Sequence, residues 1–144
     1  MKSILTALTV VAMVILSCSF IFQTDPWKVP EKYQNLKNPV LADEASINSG
    51  KEIYDTYCRS CHGKDGRGSG IRADRLTTPP ADFTSENFQK QSDGALLYKI
   101  FSGHRDMPGF SKKIPGGKDA IEGGFGETRM PGDLINYVRS FYKK

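Results

Sequence analysis

The apolar positions of the last hundred residues of the chain fall into three helical runs, separated by stretches rich in glycine and proline. Ile53, Tyr54 and Tyr57 share one side of a helix at i, i+1, i+4 spacing, and Ser49-Gly50-Lys51-Glu52 ahead of them reads as a capping box. Gly50 costs helix stability, so it serves either the cap or the close approach of a second helix. A second helix is predicted from Ser92-Asp93-Gly94, with Leu96, Leu97, Ile100 and Phe101 on its apolar face and Gly103 as its stop. The third carries Pro131 in its first turn and Asp133 near its positive end. Its apolar face is Leu134, Ile135, Tyr137, Val138 and Phe141, and it is expected to cross the first helix near Gly50.

Between these runs the pattern breaks. Lys64 to Gly70 alternates glycine with polar residues and reads as a loop. A phosphate-cradling loop is excluded, because no strand precedes it and no Gly-Lys-Ser/Thr ending follows. Thr77 to Phe83 continues irregularly. Pro115 to Thr128, with five glycines, reads as a further surface loop, either mobile, partner-facing or a plain excursion. Ser19 to Leu41 has little periodicity and contains Pro26, Pro30 and Pro39, which predicts an extended tether. Its Trp27, the only tryptophan, is expected either to pack on the domain or to dock a partner.

The N-terminus reads as an export signal, with Lys2 before a short apolar core from Ile4 to Leu16. Ile15-Leu16-Ser17-Cys18 is similar to a bacterial lipobox, in which Cys18 would become the lipidated first residue. The rivals are an uncleaved anchor, since Ile4 to Phe22 is mostly apolar and long enough to span a bilayer, and plain cleavage to a free domain. The expected division is therefore 1–17 signal peptide, 18–45 lipidated N-terminus and tether, and 46–144 the folded domain.

The chemistry is concentrated in Cys58-Arg59-Ser60-Cys61-His62. Two thiols one helical turn apart can reach both vinyl groups of one porphyrin, and the next residue can offer its imidazole to the iron. Cys58 and Cys61 are thus candidate thioether sites for one covalently attached haem c, and His62 is the candidate proximal ligand. A zinc site would need two more ligands, yet the only other histidine is His104 and the only other cysteine is Cys18. A thioredoxin-like pair would need a βαβ setting that is absent. Pro79 and Pro80 are both candidates to accept the proximal imidazole N–H through a carbonyl.

For the second axial position the chain beyond the leader offers two methionines, each followed by proline. Met107 sits on the loop after the second helix, where Pro108 stiffens it and Phe110 can keep it dry. Met130 abuts the start of the last helix and has less freedom to approach iron. Met107 is the assignment, Met130 the lesser alternative, and His104 or an open position the third.

Together, Gly50-Lys51-x-x-Tyr54 before Cys58-Arg59-Ser60-Cys61-His62-Gly63, then Met107-Pro108, then Leu134-Ile135-Asn136-Tyr137-Val138-Arg139 resemble the class I monohaem cytochrome c family. The resemblance covers about the last hundred residues. It implies an all-α cytochrome c fold with crossing N- and C-terminal helices around a covalently bound haem, held by Cys58, Cys61, His62 and Met107. The glycine-rich insertion before the last helix and the competing Met130 depart from the family pattern. The tether with its lipobox is similar to membrane-tethered lipoprotein cytochromes of bacterial respiratory chains, including the monohaem subunit of alternative complex III.

That resemblance implies an electron carrier, not an enzyme: a one-electron relay between a quinol-oxidising complex and a haem-copper terminal oxidase. It would lie on the periplasm-facing side of a bacterial cell membrane, anchored by lipid. A haem enzyme or gas/redox sensor with a labile distal ligand is the alternative reading. Charge adds little. The formal +4 drops by Lys2 to +3 once the leader is removed, and the basic residues are scattered among acids, so no nucleic-acid partner is implied.

Overall fold

The computed structural model describes residues 27–143; the expected export signal, Cys18 and the start of the expected tether lie outside the described residues. The described chain is all-α, as expected. It comprises α1 (Glu31–Gln34), α2 (Glu44–Tyr57), α3 (Arg59–His62), a 3₁₀ turn (Ala73–Arg75), α4 (Glu86–Gln89), α5 (Asp93–Ser102), α6 (Gly117–Glu122) and α7 (Met130–Ser140).

The core follows from the crossing of α2 and α7. Leu134, Ile135 and Val138 of α7 meet Ile53 and Tyr54 of α2 in one cluster, which also takes in Leu96, Leu97 and Phe101 from α5. The crossing is close because Gly50 has no side chain: a Cβ there would lie 2.1 Å from the Asp133 carbonyl oxygen. Of the two roles read for Gly50, the close approach is the one the fold uses. Asp133 itself is 1% exposed, yet its carboxylate accepts from Ser46 Oγ at 2.6 Å and Ser49 Oγ at 3.0 Å, and pairs with Arg129 at 3.1 Å. Burying a carboxylate is tolerable only with such partners.

The first long helix begins five residues before the predicted capping box. Asp43 is its N-cap, accepting from Ser46 N at 2.7 Å. Ser49 is drawn instead to Asp133, and the sequence up to Asn48 continues the same helix. The α5 boundaries match the reading: the Ser92 side chain caps the Ala95 amide, and Gly103 ends the helix at φ 71°. The 115–128 segment departs from it. Residues Gly117–Glu122 form α6, which packs on α5 and buries Ala120 completely. Helix was not expected there because the glycines flank the turn of helix on both sides and mask its short apolar signal.

The part of the tether that is described is not free either. Tyr33 of α1 is fully buried and donates its hydroxyl to the Ile121 carbonyl. Asn38 donates to Gly132 O and Asn136 Oδ1, both at 2.8 Å, and its own amide donates to Asp93 Oδ2 at 3.1 Å. Residues 27–43 therefore form a strap across α5, α6 and α7. The prolines break periodicity, as the sequence shows, but here they shape a packed segment.

Candidate haem-binding site

Cys58 caps the C-terminus of α2 and opens α3, whose single turn carries Cys61 and His62. The turn is closed by Cys61 N and His62 N donating to Cys58 O at 3.1 and 2.9 Å. One helical turn thus fixes the spacing of both thiols and the imidazole. Both cysteines are free thiols and half-buried. Burial, with Cys61 adding a smaller push, drives the Cys58 thiol up to about 12.

His62 is buried, 8% exposed. Burial lowers its pKa, against an opposing hydrogen bond to the Ala81 carbonyl. Nδ1 lies 3.3 Å from Ala81 O. A carbonyl oxygen only accepts, so Nδ1 carries the proton and Nε2 keeps its lone pair, which is what a metal-ligating imidazole requires. The supporting carbonyl is Ala81, neither Pro79 nor Pro80. The ring also stacks on Phe83, with centroids 4.4 Å apart at 23°, and the backbone that places Phe83 presents the Ala81 oxygen two residues before it. A backbone acceptor leaves no mark in the side-chain sequence, so only the fold could choose among the three.

The glycine loop after His62 folds back over α3. Gly68 N donates to His62 O, Gly70 N to Cys61 O and Arg72 N to Ser60 O, at 2.9, 3.0 and 2.9 Å. The Tyr54 hydroxyl, buried in the core, donates to Gly63 O at 2.6 Å. Burial pushes the Tyr54 phenol well above its ordinary range, so it stays a donor at any physiological pH.

Met107 lies at the end of a four-residue turn that follows α5. His104 N donates to Met107 O at 2.9 Å and Met107 N to His104 O at 3.0 Å, so the turn closes on itself. Gly103 makes this possible: besides its positive φ, a Cβ there would lie 2.3 Å from Gly109 N. Asp106 ties the turn to the loop leading to Ala81, accepting from the Thr77 hydroxyl and from Thr78 N at 2.9 Å. Phe110, 5% exposed, belongs to the core cluster against which Met107 packs. Met107, Met130 and Cys58 all pack half-buried against the one core. Met130 is the first residue of α7 and held by it, whereas Met107 belongs to a turn.

Sequence reasoning missed Ala81, Phe83 and the Asp106 tie. Asp106 beside a predicted ligand was a visible signal; the stacking of Phe83 was not. His104 does not stand alone: its ring stacks on Trp27. The donor set fits a haem on its own chemistry, with two unpaired thiols and a neutral imidazole on one helical turn, and a thioether on a pinned loop. A metal bound directly by side chains fits poorly, since the described residues contain no group of three or more His, Cys, Asp or Glu able to hold one.

The model of the family described as cytochrome c oxidase, cbb3-type, subunit III matches residues 45–121. The chain is 30% identical over 79 residues to the cbb3-type cytochrome c oxidase subunit CcoP of Azospirillum brasilense, covering 54% of this chain and 26% of that protein. It is 31% identical over 65 residues to the quinohemoprotein alcohol dehydrogenase ADH IIB of Pseudomonas putida, covering 45% of this chain and 9% of that one. Among solved structures, a chain of the Kuenenia stuttgartiensis reducing HAO-like protein complex Kustc0457/Kustc0458 superposes with a TM-score of 0.59 at 26% identity, over 84% of this chain and 53% of the other. The chain therefore spans about a quarter or less of the curated relatives it matches and about half of the structural one. The matched span contains all of α2 but its first residue, the Cys58–His62 turn and the Met107 turn, and it ends before Met130. On that span, the chain belongs to the cytochrome c family of the cbb3-type subunit III kind, whose members carry covalently attached haem c.

Proposed function

We propose that this chain is a one-electron relay in which Cys58 and Cys61 would hold a haem through thioethers and His62 and Met107 would ligate its iron. The observation that carries the reading is the buried His62, with Nδ1 committed to Ala81 O and its pKa lowered by burial, on the same helical turn as two unpaired thiols. The group supplies a reversible one-electron change at iron. The protein's share is positional. Ala81 and Phe83 fix the imidazole plane and its tautomer, the self-closed turn with its Asp106 tie offers the Met107 thioether, and Phe110 and the α5 core exclude water from that side. A thioether and an imidazole together favour the reduced state and leave no position for substrate, which supports a carrier rather than an enzyme.

The donor is taken to be a quinol-oxidising respiratory complex and the acceptor a haem-copper oxidase; a relative named as an oxidase subunit supports that setting. Attachment to a periplasm-facing membrane would run through lipid on Cys18. Among the described residues no helix is long and apolar enough to cross a membrane.

The test is spectroscopic. The exported protein should hold its pigment through acid–acetone extraction, and its ferric form should be low-spin with a sulfur-to-iron charge-transfer band. Met107→Ala should abolish that band and Met130→Ala should keep it. The reverse result transfers the ligand to Met130, and a high-spin wild-type protein that binds CO rapidly would point to a haem enzyme or sensor.

A further inference from the structure

The Met107 turn is held from a second direction. The Trp27 ring stacks on the His104 ring with centroids 5.0 Å apart at 24°, and Lys99 Nζ sits 5.5 Å from the Trp27 centroid. His104 is the residue whose backbone closes the turn onto Met107. Inside the turn Arg105 adopts φ 51°, a left-handed backbone that disfavours any residue with a side chain. A turn carrying such a residue persists only where its surroundings hold it. Asp106 fastens it to Thr77 and Thr78; Trp27 covers its other named side chain. Trp27 in turn is placed by the strap, where Tyr33 N donates to Pro30 O at 3.0 Å, Gln34 Nε2 to Val29 O at 3.1 Å, and Tyr33 is buried against α6.

We propose that Trp27 is a positioning residue for Met107: by stacking on His104 it keeps the turn in the arrangement that presents the thioether. This rests on reading Met107 as the axial ligand. Trp27 acts through its stack on His104. The chain would thus complete its distal face with a residue from well outside the span matched by the family model, which begins at residue 45.

Imidazole competes with a thioether for ferric haem, so its affinity reports how firmly the thioether is held. The test uses the full-length, haem-loaded protein with Trp27→Ala and Trp27→Phe. Losing the stack should tighten apparent imidazole binding about fivefold and weaken the ferric charge-transfer band, while Trp27→Phe should stay within about twofold of the wild type. A ring that serves only stability would lower the melting temperature and leave imidazole affinity and band unchanged; that result overturns the proposal. Met107→Ala serves as the reference. If it keeps the band, the ligand assignment fails and this inference with it. If it loses the band while Trp27→Ala binds imidazole like the wild type, the inference alone fails.

Discussion

At the scale of single residues, the site is a set of side chains whose freedom has been removed by backbone partners. His62 is legible in the sequence because the chemistry requires an imidazole directly after the second thiol. Ala81 is not, because what it contributes is a carbonyl that every residue possesses. Asp106 stands between these cases. Its exposed carboxylate is held below the usual range mainly by the Thr77 hydroxyl and the Thr78 amide, and those bonds join the loop that carries the distal candidate to the loop that carries the proximal support. Asp106→Ala should loosen the first without touching the second. Imidazole titration of the ferric protein should show a several-fold rise in affinity, on the scale of one or two lost hydrogen bonds. The Nδ1–Ala81 contact, read from the imidazole resonances of the reduced protein, should not change.

At the scale of elements, what the sequence revealed depended on whether a helix announces its own ends. Helix α5 does so, with Ser92 before it and Gly103 after it. Helix α2 carries two plausible starts, and the one used, Asp43 with Ser46 three residues on, lies outside the apolar run that drew attention to Ser49. What decides is tertiary: Ser49 finds a better partner in Asp133 on the crossing helix. Helix α6 is invisible because its stability comes from burying Ala120 against α5 and from receiving the Tyr33 hydroxyl, neither of which has a local signature. The α2–α7 crossing was legible from one glycine, and it gives a sharp expectation. Gly50→Ala should cost about 1–3 kcal/mol, the cost of overpacking, lowering the thermal midpoint by several degrees. Calorimetry of the haem-loaded protein measures it, and a midpoint equal to the wild type would show that the helices can part without penalty. On the strap, Asn38→Ala removes the donor to Gly132 O and Asn136 Oδ1. It should cost about 1–3 kcal/mol through the acceptors it leaves unpaired, read in the same measurement.

At the scale of the whole molecule, charge is not as evenly spread as its composition suggests. Residues 59–75 carry Arg59, Lys64, Arg67, Arg72 and Arg75 against Asp65 and Asp74, so most of the chain's small positive charge lies on the Cys58–His62 turn and the loop that backs it. Ile71, 90% exposed, sits in its middle. Electron exchange through that face should therefore prefer anions. Oxidation of the reduced protein by ferricyanide should slow as salt rises, whereas oxidation by a cationic cobalt complex should not; equal salt dependence for both reagents would place the exchange elsewhere. Serine in place of Arg72 and Arg75 should flatten the ferricyanide dependence.

The strap also sets a radius. Were residues 18–43 a free leash, lipid on Cys18 would let the domain wander about 90 Å from its anchor; with the chain fastened from Trp27 onward, only about nine residues remain, and their geometric limit is about 30 Å. A domain on so short a line would stay within roughly its own diameter of a bilayer holding that lipid. A lipid on Cys18, as proposed, would then favour partners lying beside the domain at the membrane over distant ones.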